Sequence, residues 1–310
     1  MSKPIRVAVI GAGKLGSRHA LVYSKLPGVE LVGVCDTHAE RAEASARVCG
    51  TRAYTDYREL LETIDAASIV VPSHKHFDIS RQFLERDVHL LIEKPITTEL
   101  PHAEELVELA RNRKLTLQVG HIERFNSAVR TTQSIIKRPR FIQCHRMGPY
   151  DPRVADVGVT LDLMIHDIDI VLDLVDSKIT HVDAVGACIL SKTEDMANAR
   201  IRFENGCICD LTASRVTPEV TRTIRIFQDN AHITLDYVHQ EAEIYTLEPG
   251  GIQHKKIEIT KGDSLTQELS DFAECVRTGR RPLVSGEEGR DALALALRIE
   301  RQIHEQQPSR

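Results

Sequence analysis

From Ile5 to Gly120, short runs of aliphatic and β-branched residues alternate with stretches whose apolar positions recur every three or four residues. The strand-like runs are IRVAVIGAG, VELVGVCD, AASIVVPS, HLLIEKP and TLQVGH, with a helical stretch between each pair. Continuous apolar runs suit strands buried on both faces, and the intervening helices supply the crossovers that parallel pairing requires. This part of the chain therefore predicts a doubly wound parallel sheet of Rossmann type over residues 1–121. Beyond His121 the order changes. A helical stretch, the strand-like FIQCHRM and a helix around Val159 to Val175 lead into the runs THVDAVGACIL, NARIRFENGCICDLTAS, RTIRIFQDNAHITLDY, EAEIYTLE and KKIEIT. Turn signals such as Glu204-Asn205-Gly206 and Asp229-Asn230 join several of them, which predicts hairpins. Two helical patterns close the chain, Ser264 to Thr278 and Glu287 to His304, separated by GRRPLVSGEEG. The expected fold class is α/β: an N-terminal Rossmann domain, then a C-terminal α/β domain (residues 122–310) for substrate binding and oligomerisation, built on a largely antiparallel open sheet.

Composition narrows the partners. A chain of 310 residues that is 42% hydrophobic can bury about two ordinary cores. Its formal net charge of -5 gives no electrostatic ground for nucleic acid or an anionic membrane as main partner. No run approaches membrane-spanning length, and the start MSKPIRVAVIGAG enters a strand without a cleavable leader, so a cytoplasmic protein acting on a small molecule is expected. The seven cysteines (Cys35, Cys49, Cys144, Cys188, Cys207, Cys209, Cys275) are scattered, and the one close pair is C-x-C. That spacing predicts reduced thiols and no metal centre.

Candidate chemistry lies first in Gly11, Gly13 and Gly16, a G-x-G-x-x-G at the end of the first strand, with Lys14 and Leu15 in the turn. Glycines there permit a tight turn and close approach to a pyrophosphate, and the helix start offers its N–H groups to the anion. Asp36 ends the second strand, where a carboxylate accepts from the adenosine ribose hydroxyls and repels a 2′-phosphate, so NAD is expected rather than NADP. Arg41, one turn on, reads as a solvated helix arginine. In the second half, GVTLDLMIHDIDIVLD reads as a helix that projects Asp162 and His166, four residues apart, from one face. Oxidation of an alcohol releases a proton, which suits an imidazole oriented by a carboxylate.

The runs VVPSHKHFD and LLIEKP, together with the glycine turn and the D-x-x-x-H helix, resemble the Gfo/Idh/MocA oxidoreductases over nearly the whole chain. The resemblance implies that Pro72, Ser73 and His76 border the nicotinamide half of the cofactor, and that Glu93, Lys94 and Pro95 sit where nicotinamide and substrate meet, with a cis Lys94-Pro95 bond. It maps the catalytic aspartate and histidine onto Asp162 and His166, with Asp167 and Asp169 following, and it leaves open whether His166 or Lys94 accepts the proton. His121 is a further cofactor contact on this reading.

Within that family, GHIERFN, MIHDIDIVLDLV and SRVTPEVTRTIRIF are most similar to members that oxidise the 3-hydroxyl of UDP-N-acetylglucosamine, before a partner aminotransferase acts, in lipid A biosynthesis. Ser127 stands where the usual pattern R-F-N-P has proline. A nucleotide-sugar substrate carries a diphosphate, for which Arg124, Arg146, Arg215, Arg222 and Arg225 are candidates, with Asn126 and Lys94 beside them. An open sheet face predicts a homodimer or homotetramer. Two alternatives stay open: a dehydrogenase of another nucleotide sugar, an inositol or a free sugar, and a non-catalytic NAD-binding regulatory protein.

Overall fold

A computed structural model describes residues 3–151 and 157–306. It divides into two compact units, one made of the chain up to Ile122 together with Asp263–Arg290, the other of Glu123–Gly262 together with the chain from Asp291 onward.

In the first unit β1 (Ile5–Ile10), β2 (Val29–Cys35), β3 (Arg52–Tyr54), β4 (Ala66–Ile69), β5 (His89–Glu93) and β6 (Leu117–Gly120) form one parallel sheet in the order β3-β2-β1-β4-β5-β6. The strand order reverses between β1 and β4, and open parallel sheets present a ligand crevice at such a point, beyond the carboxyl ends of the strands. Helices α1 (Lys14–Tyr23), α2 (Ala39–Cys49), α3 (His76–Leu84) and α4 (Leu100–Arg113) are the crossovers. The expected Rossmann sheet is present, with one element that the sequence pattern does not show: β3, three residues on the sheet edge, paired only to β2. The two-part division of the sequence also differs in one respect. The helix Ser264–Thr278 belongs to the first unit, where Leu265, Leu269, Phe272 and Ala273 share a core with Val7, Val9, Ala20 and Tyr23.

The second unit carries α5 (Ser127–Thr132), β7 (Pro139–Met147), a helix that begins as a π-turn at Thr160–Met164 and continues as α6 (Ile165–Val175), and β8 (Ile179–Ala187) to β14 (Gly251–Ile257). With β9 (Met196–Phe203), β10 (Ile208–Ser214), β11 (Thr221–Gln228), β12 (Ala231–Asp236) and β13 (Glu241–Glu248) between them, the eight strands run β14-β13-β12-β11-β7-β10-β9-β8, antiparallel throughout except where β10 lies parallel to β7. Period-two alternation sets its faces. In β11 (Thr221–Gln228), Ile224 and Ile226 are buried while Arg225 and Phe227 are exposed. The covered face packs Ile142, Cys144, Leu211, Ala213, Ile224 and Ile226 against Met164, Ile165, Ile168 and Val171 of the helix. On the open face Phe141, Phe227, His232, Tyr245 and His254 lie side by side across five strands, the closest ring centroids being 4.4 Å apart. The last two helices are α7 (Ser264–Thr278) and α8 (Gly286–Gln306). Among the described residues no helix is long and apolar enough to cross a membrane.

Candidate active site

In the first unit the glycine turn joins β1 to α1. A Cβ on Gly11, whose φ is +104°, would lie 2.2 Å from the Val70 carbonyl oxygen, and one on Gly16 would lie 1.8 Å from that of Gly11. Both glycines thus close the loop backbone against backbone. Gly13 differs: a Cβ there meets nothing within 4 Å, and the residue lines a cavity of about 780 Å³. The cavity runs from the turn past Lys14, Leu15 and Asp36 to Glu93 and Lys94. No side chain caps the start of α1, so its first N–H groups are available to an anion. The Asp36 carboxylate accepts from the Ala12 N–H (2.8 Å) and the His38 N–H (2.9 Å). Burial alone would raise this carboxyl, but those hydrogen bonds outweigh it and hold it below the usual range. A carboxylate held ionised at the tip of β2 fits ribose hydroxyls and opposes a 2′-phosphate. The glycine cradle, the uncapped helix start and Asp36 together fit NAD.

The two glycines predict different phenotypes. Gly13→Ala should leave the urea unfolding midpoint unchanged and weaken NAD binding roughly tenfold, about 1.4 kcal/mol, because the added methyl enters only the cofactor's space. Gly16→Ala should lower both, since its methyl must displace backbone. Fluorescence titration with NADH and urea unfolding of the two variants check this; equal stability loss in both would refute the distinction.

At the far end of the cavity β5 delivers Glu93, Lys94 and Pro95, and the Lys94-Pro95 peptide is cis. Glu93 is nearly buried: its Oε1 lies 3.2 Å from Nε2 of His19, a wholly buried residue of α1. Gly120 makes the room, because a Cβ there would come within 2.8 Å of the Glu93 carboxylate. His19 was not singled out from the sequence; it sits on the helix face opposite the solvent, and the buried residues Gly16, His19, Ala20 and Tyr23 give the only hint. His76 is buried, with Nδ1 2.9 Å from the Pro95 carbonyl and Nε2 2.9 Å from that of Val71. It braces the loops that follow β4 and β5, and burial lowers its basicity against the pull of those carbonyls. Pro72 and Lys75 line the cavity, Ser73 opens the turn before α3, and His121 is buried beyond β6. Lys94 is half-buried and lines the cavity.

In the second unit Asp162 lies within the π-turn and His166 in the first turn of α6, both half-buried. A π-turn within a helix is uncommon and is found disproportionately at functional sites. Their neighbours have structural tasks. Asp167 is buried and receives two N–H groups of Arg146 (3.0 and 2.8 Å), whose third contact is Glu123 (3.0 Å), with the Tyr237 ring 5.5 Å from the guanidinium. Burial raises the Asp167 carboxyl even with Arg146 beside it; burial alone would pull Arg146 down, but Asp167 and Glu123 more than reverse this. Asp169 pairs with Arg124, which also binds Asp173 at 2.7 Å.

The residues expected to reach a substrate separate accordingly. Arg124, Arg146 and Arg215 are buried, and each donates to partners within the unit. Arg215 donates to Asp195 (2.7 Å), the Val157 carbonyl (2.6 Å), Ser191 and Thr193. Asp195 in turn accepts from the Ile189, Leu190 and Ser191 N–H groups. Asn126 caps α5 through the Ala128 N–H and donates to the Tyr237 carbonyl. The physical reason is common to all: a buried cation or amide needs its full set of partners. Arg222 and Arg225 are exposed, Arg222 on the covered side of the sheet, 4.0 Å from Glu123, and Arg225 on the open face.

A glycine-cradled Rossmann unit with a lysine at the rim of its cofactor cavity, followed by a unit with a carboxylate and an imidazole on one helix, defines a nicotinamide-dependent oxidoreductase. Residues 5–121 match the oxidoreductase family model with an NAD-binding Rossmann fold, and residues 128–234 match the GFO/IDH/MocA C-terminal domain model, so the chain belongs to the Gfo/Idh/MocA family. It is 35% identical over 302 residues to UDP-N-acetylglucosamine 3-dehydrogenase of Acidithiobacillus ferrooxidans, covering 95% of this chain and 96% of that one. It is 29% identical to scyllo-inositol 2-dehydrogenase (NAD(+)) of Bacillus subtilis, covering 92% and 90%. The solved structure of UDP-N-acetylglucosamine 3-dehydrogenase GnnA from Acidithiobacillus ferrooxidans superposes with a TM-score of 0.93 at 34% identity, covering 98% of this chain and 99% of that one.

Proposed function

We propose that this chain oxidises the 3-hydroxyl of UDP-N-acetylglucosamine to the 3-keto sugar. NAD, when bound, supplies the hydride acceptor. Lys94 polarises the C3 oxygen, His166 takes the hydroxyl proton, and Asp162 orients His166. The observation that carries the reading is the 35% identity to a UDP-N-acetylglucosamine 3-dehydrogenase over nearly the full length of both chains. Arg222 is our candidate for the diphosphate, because it is exposed on the same side of the sheet as the helix bearing Asp162 and His166, whereas Arg124, Arg146 and Arg215 are committed to buried carboxylates. The 3-keto product is a substrate for an aminotransferase, in keeping with a cytoplasmic step of lipid A biosynthesis. The row of aromatic rings on the open sheet face supports assembly into a homodimer or homotetramer through that face.

A second reading keeps the chemistry and changes the substrate to a cyclic polyol. It is favoured by the likeness to scyllo-inositol 2-dehydrogenase. The two part on UDP. If the first is right, NADH forms with UDP-N-acetylglucosamine, UDP alone competes with it, and inositols give no turnover. Turnover with an inositol that UDP leaves untouched would overturn it in favour of the second.

A further inference from the structure

Where β9 (Met196–Phe203) begins, Glu194 is wholly buried. Its Oε1 accepts from the Thr160 N–H at 3.2 Å, in the first turn of the helix that bears Asp162 and His166. Gly158 admits it there, since a Cβ on that residue would lie 2.1 Å from Oε1. The other oxygen, Oε2, is buried and makes no hydrogen bond among the described residues; it points toward Nε2 of His304, 3.8 Å away. Glu300 stands one turn before His304 on α8, so both project from one face of that helix, and one ligand atom each from Glu194, Glu300 and His304 falls within 4.8 Å of the others. A buried carboxylate oxygen is costly unless something positive meets it, and here a second carboxylate faces the same point.

We propose that Glu194, Glu300 and His304 form a site for one divalent transition-metal ion, which fastens the last turns of α8 to the start of the helix carrying Asp162 and His166. Two carboxylates and one imidazole are a hard-to-borderline set that suits zinc or manganese better than calcium or magnesium, and they leave one position for water. Ligand atoms around such an ion sit closer together than 4.8 Å, so the site must contract slightly on binding. His304 is exposed, near the end of α8, and is the ligand with freedom to move inward. The site is structural and takes no part in hydride transfer. Cysteine spacing carries no information about it, because Glu194 lies 106 residues from Glu300 in the chain and the two meet only on folding.

The test uses the full chain, treated with chelator and titrated with Zn²⁺ by isothermal calorimetry, with thermal unfolding alongside. The expected result is uptake of one ion per chain and a rise in melting temperature with added Zn²⁺. Glu300→Gln and His304→Gln should each weaken uptake by roughly tenfold or more and abolish the rise, since even loss of a group one shell away from a metal costs ~10–100-fold in affinity. Glu194→Gln is a poorer probe, because that carboxylate also caps the helix and the variant can fail to fold. The proposal is overturned by absence of stoichiometric uptake, or by uptake that survives in either variant, as it would if the ion sat on the adjacent thiols of Cys207 and Cys209.

Discussion

Lys94→Met should lower kcat/KM for UDP-N-acetylglucosamine by ~10²–10⁴-fold, about 3–5 kcal/mol of barrier, with NADH binding nearly unchanged. Methionine keeps most of the lysine stem and removes the ammonium. The corner that carries it is held by other residues, Glu93 against His19 and His76 between Val71 and Pro95, so its geometry survives the exchange. The cavity extends well beyond Lys94, to the glycine turn and Asp36, so most of the surface open to a cofactor is unchanged. What is lost is the positive charge facing an oxygen that becomes more negative as its proton leaves and the carbinol hydrogen departs with its electron pair. A fixed charge in a half-buried position stabilises that change far more than it would in water. His166→Asn should cost a comparable factor if, as proposed, its imidazole takes part in the proton transfer. The pH profile divides the two roles: whichever residue accepts the proton, its replacement flattens the acidic limb of kcat/KM, whereas loss of the polarising residue lowers the curve and keeps its shape. Following NADH absorbance for both variants decides the matter. Turnover within a few-fold of the parent in either case would remove that residue from the mechanism.

How much of this was legible in the sequence depends on whether the determinant is local. The Rossmann strands were legible because each is a continuous apolar run, and the glycine turn because only glycine fits where a Cβ would meet the Val70 and Gly11 carbonyls. The helix that carries Asp162 and His166 was legible from its apolar periodicity, but the π-turn at Thr160–Met164 with which it begins was not. Three further things were not. β3 is too short for any periodicity to register. The apolar stripe of α7 says that the helix must cover a core, and nothing about which of two sheets offers it; Leu269 and Phe272 pack with Val7 and Val9 some 260 residues earlier. The arginines were the hardest, since Arg146 is buried against two carboxylates while Arg222 stays exposed with a single 4.0 Å approach to one of them. Glu123 and Asp167 lie 23 and 21 residues from Arg146, and only the fold brings them to its guanidinium.

That last group supplies the largest expected effect on stability. Arg146→Met should destabilise the second unit by about 3–5 kcal/mol at pH 8, because it leaves the buried Asp167 without its paired cation and Glu123 with only the exposed Arg222, 4.0 Å away. The loss is larger than that of an ordinary core exchange: methionine fills most of the space beside Tyr237, but Asp167 and Glu123 are then desolvated anions facing each other. The sign of the pH dependence follows. Burial already raises the Asp167 carboxyl, and removal of Arg146 takes away the charge and hydrogen bonds opposing it, so in the variant the folded state binds a proton that the unfolded chain has released. Where the folded state holds more protons, stability falls as pH rises. The penalty should therefore be full above the raised Asp167 value and shrink as pH drops through it toward the ordinary carboxylate range. Urea unfolding of parent and variant at several pH values between 5 and 8 measures this, with the midpoints expected to converge at the acid end. Adding Asp167→Asn to Arg146→Met should recover part of the loss at pH 8 and flatten the pH dependence. A penalty that is the same at every pH, or untouched by the second substitution, would mean that Arg146 contributes packing and hydrogen bonds rather than charge.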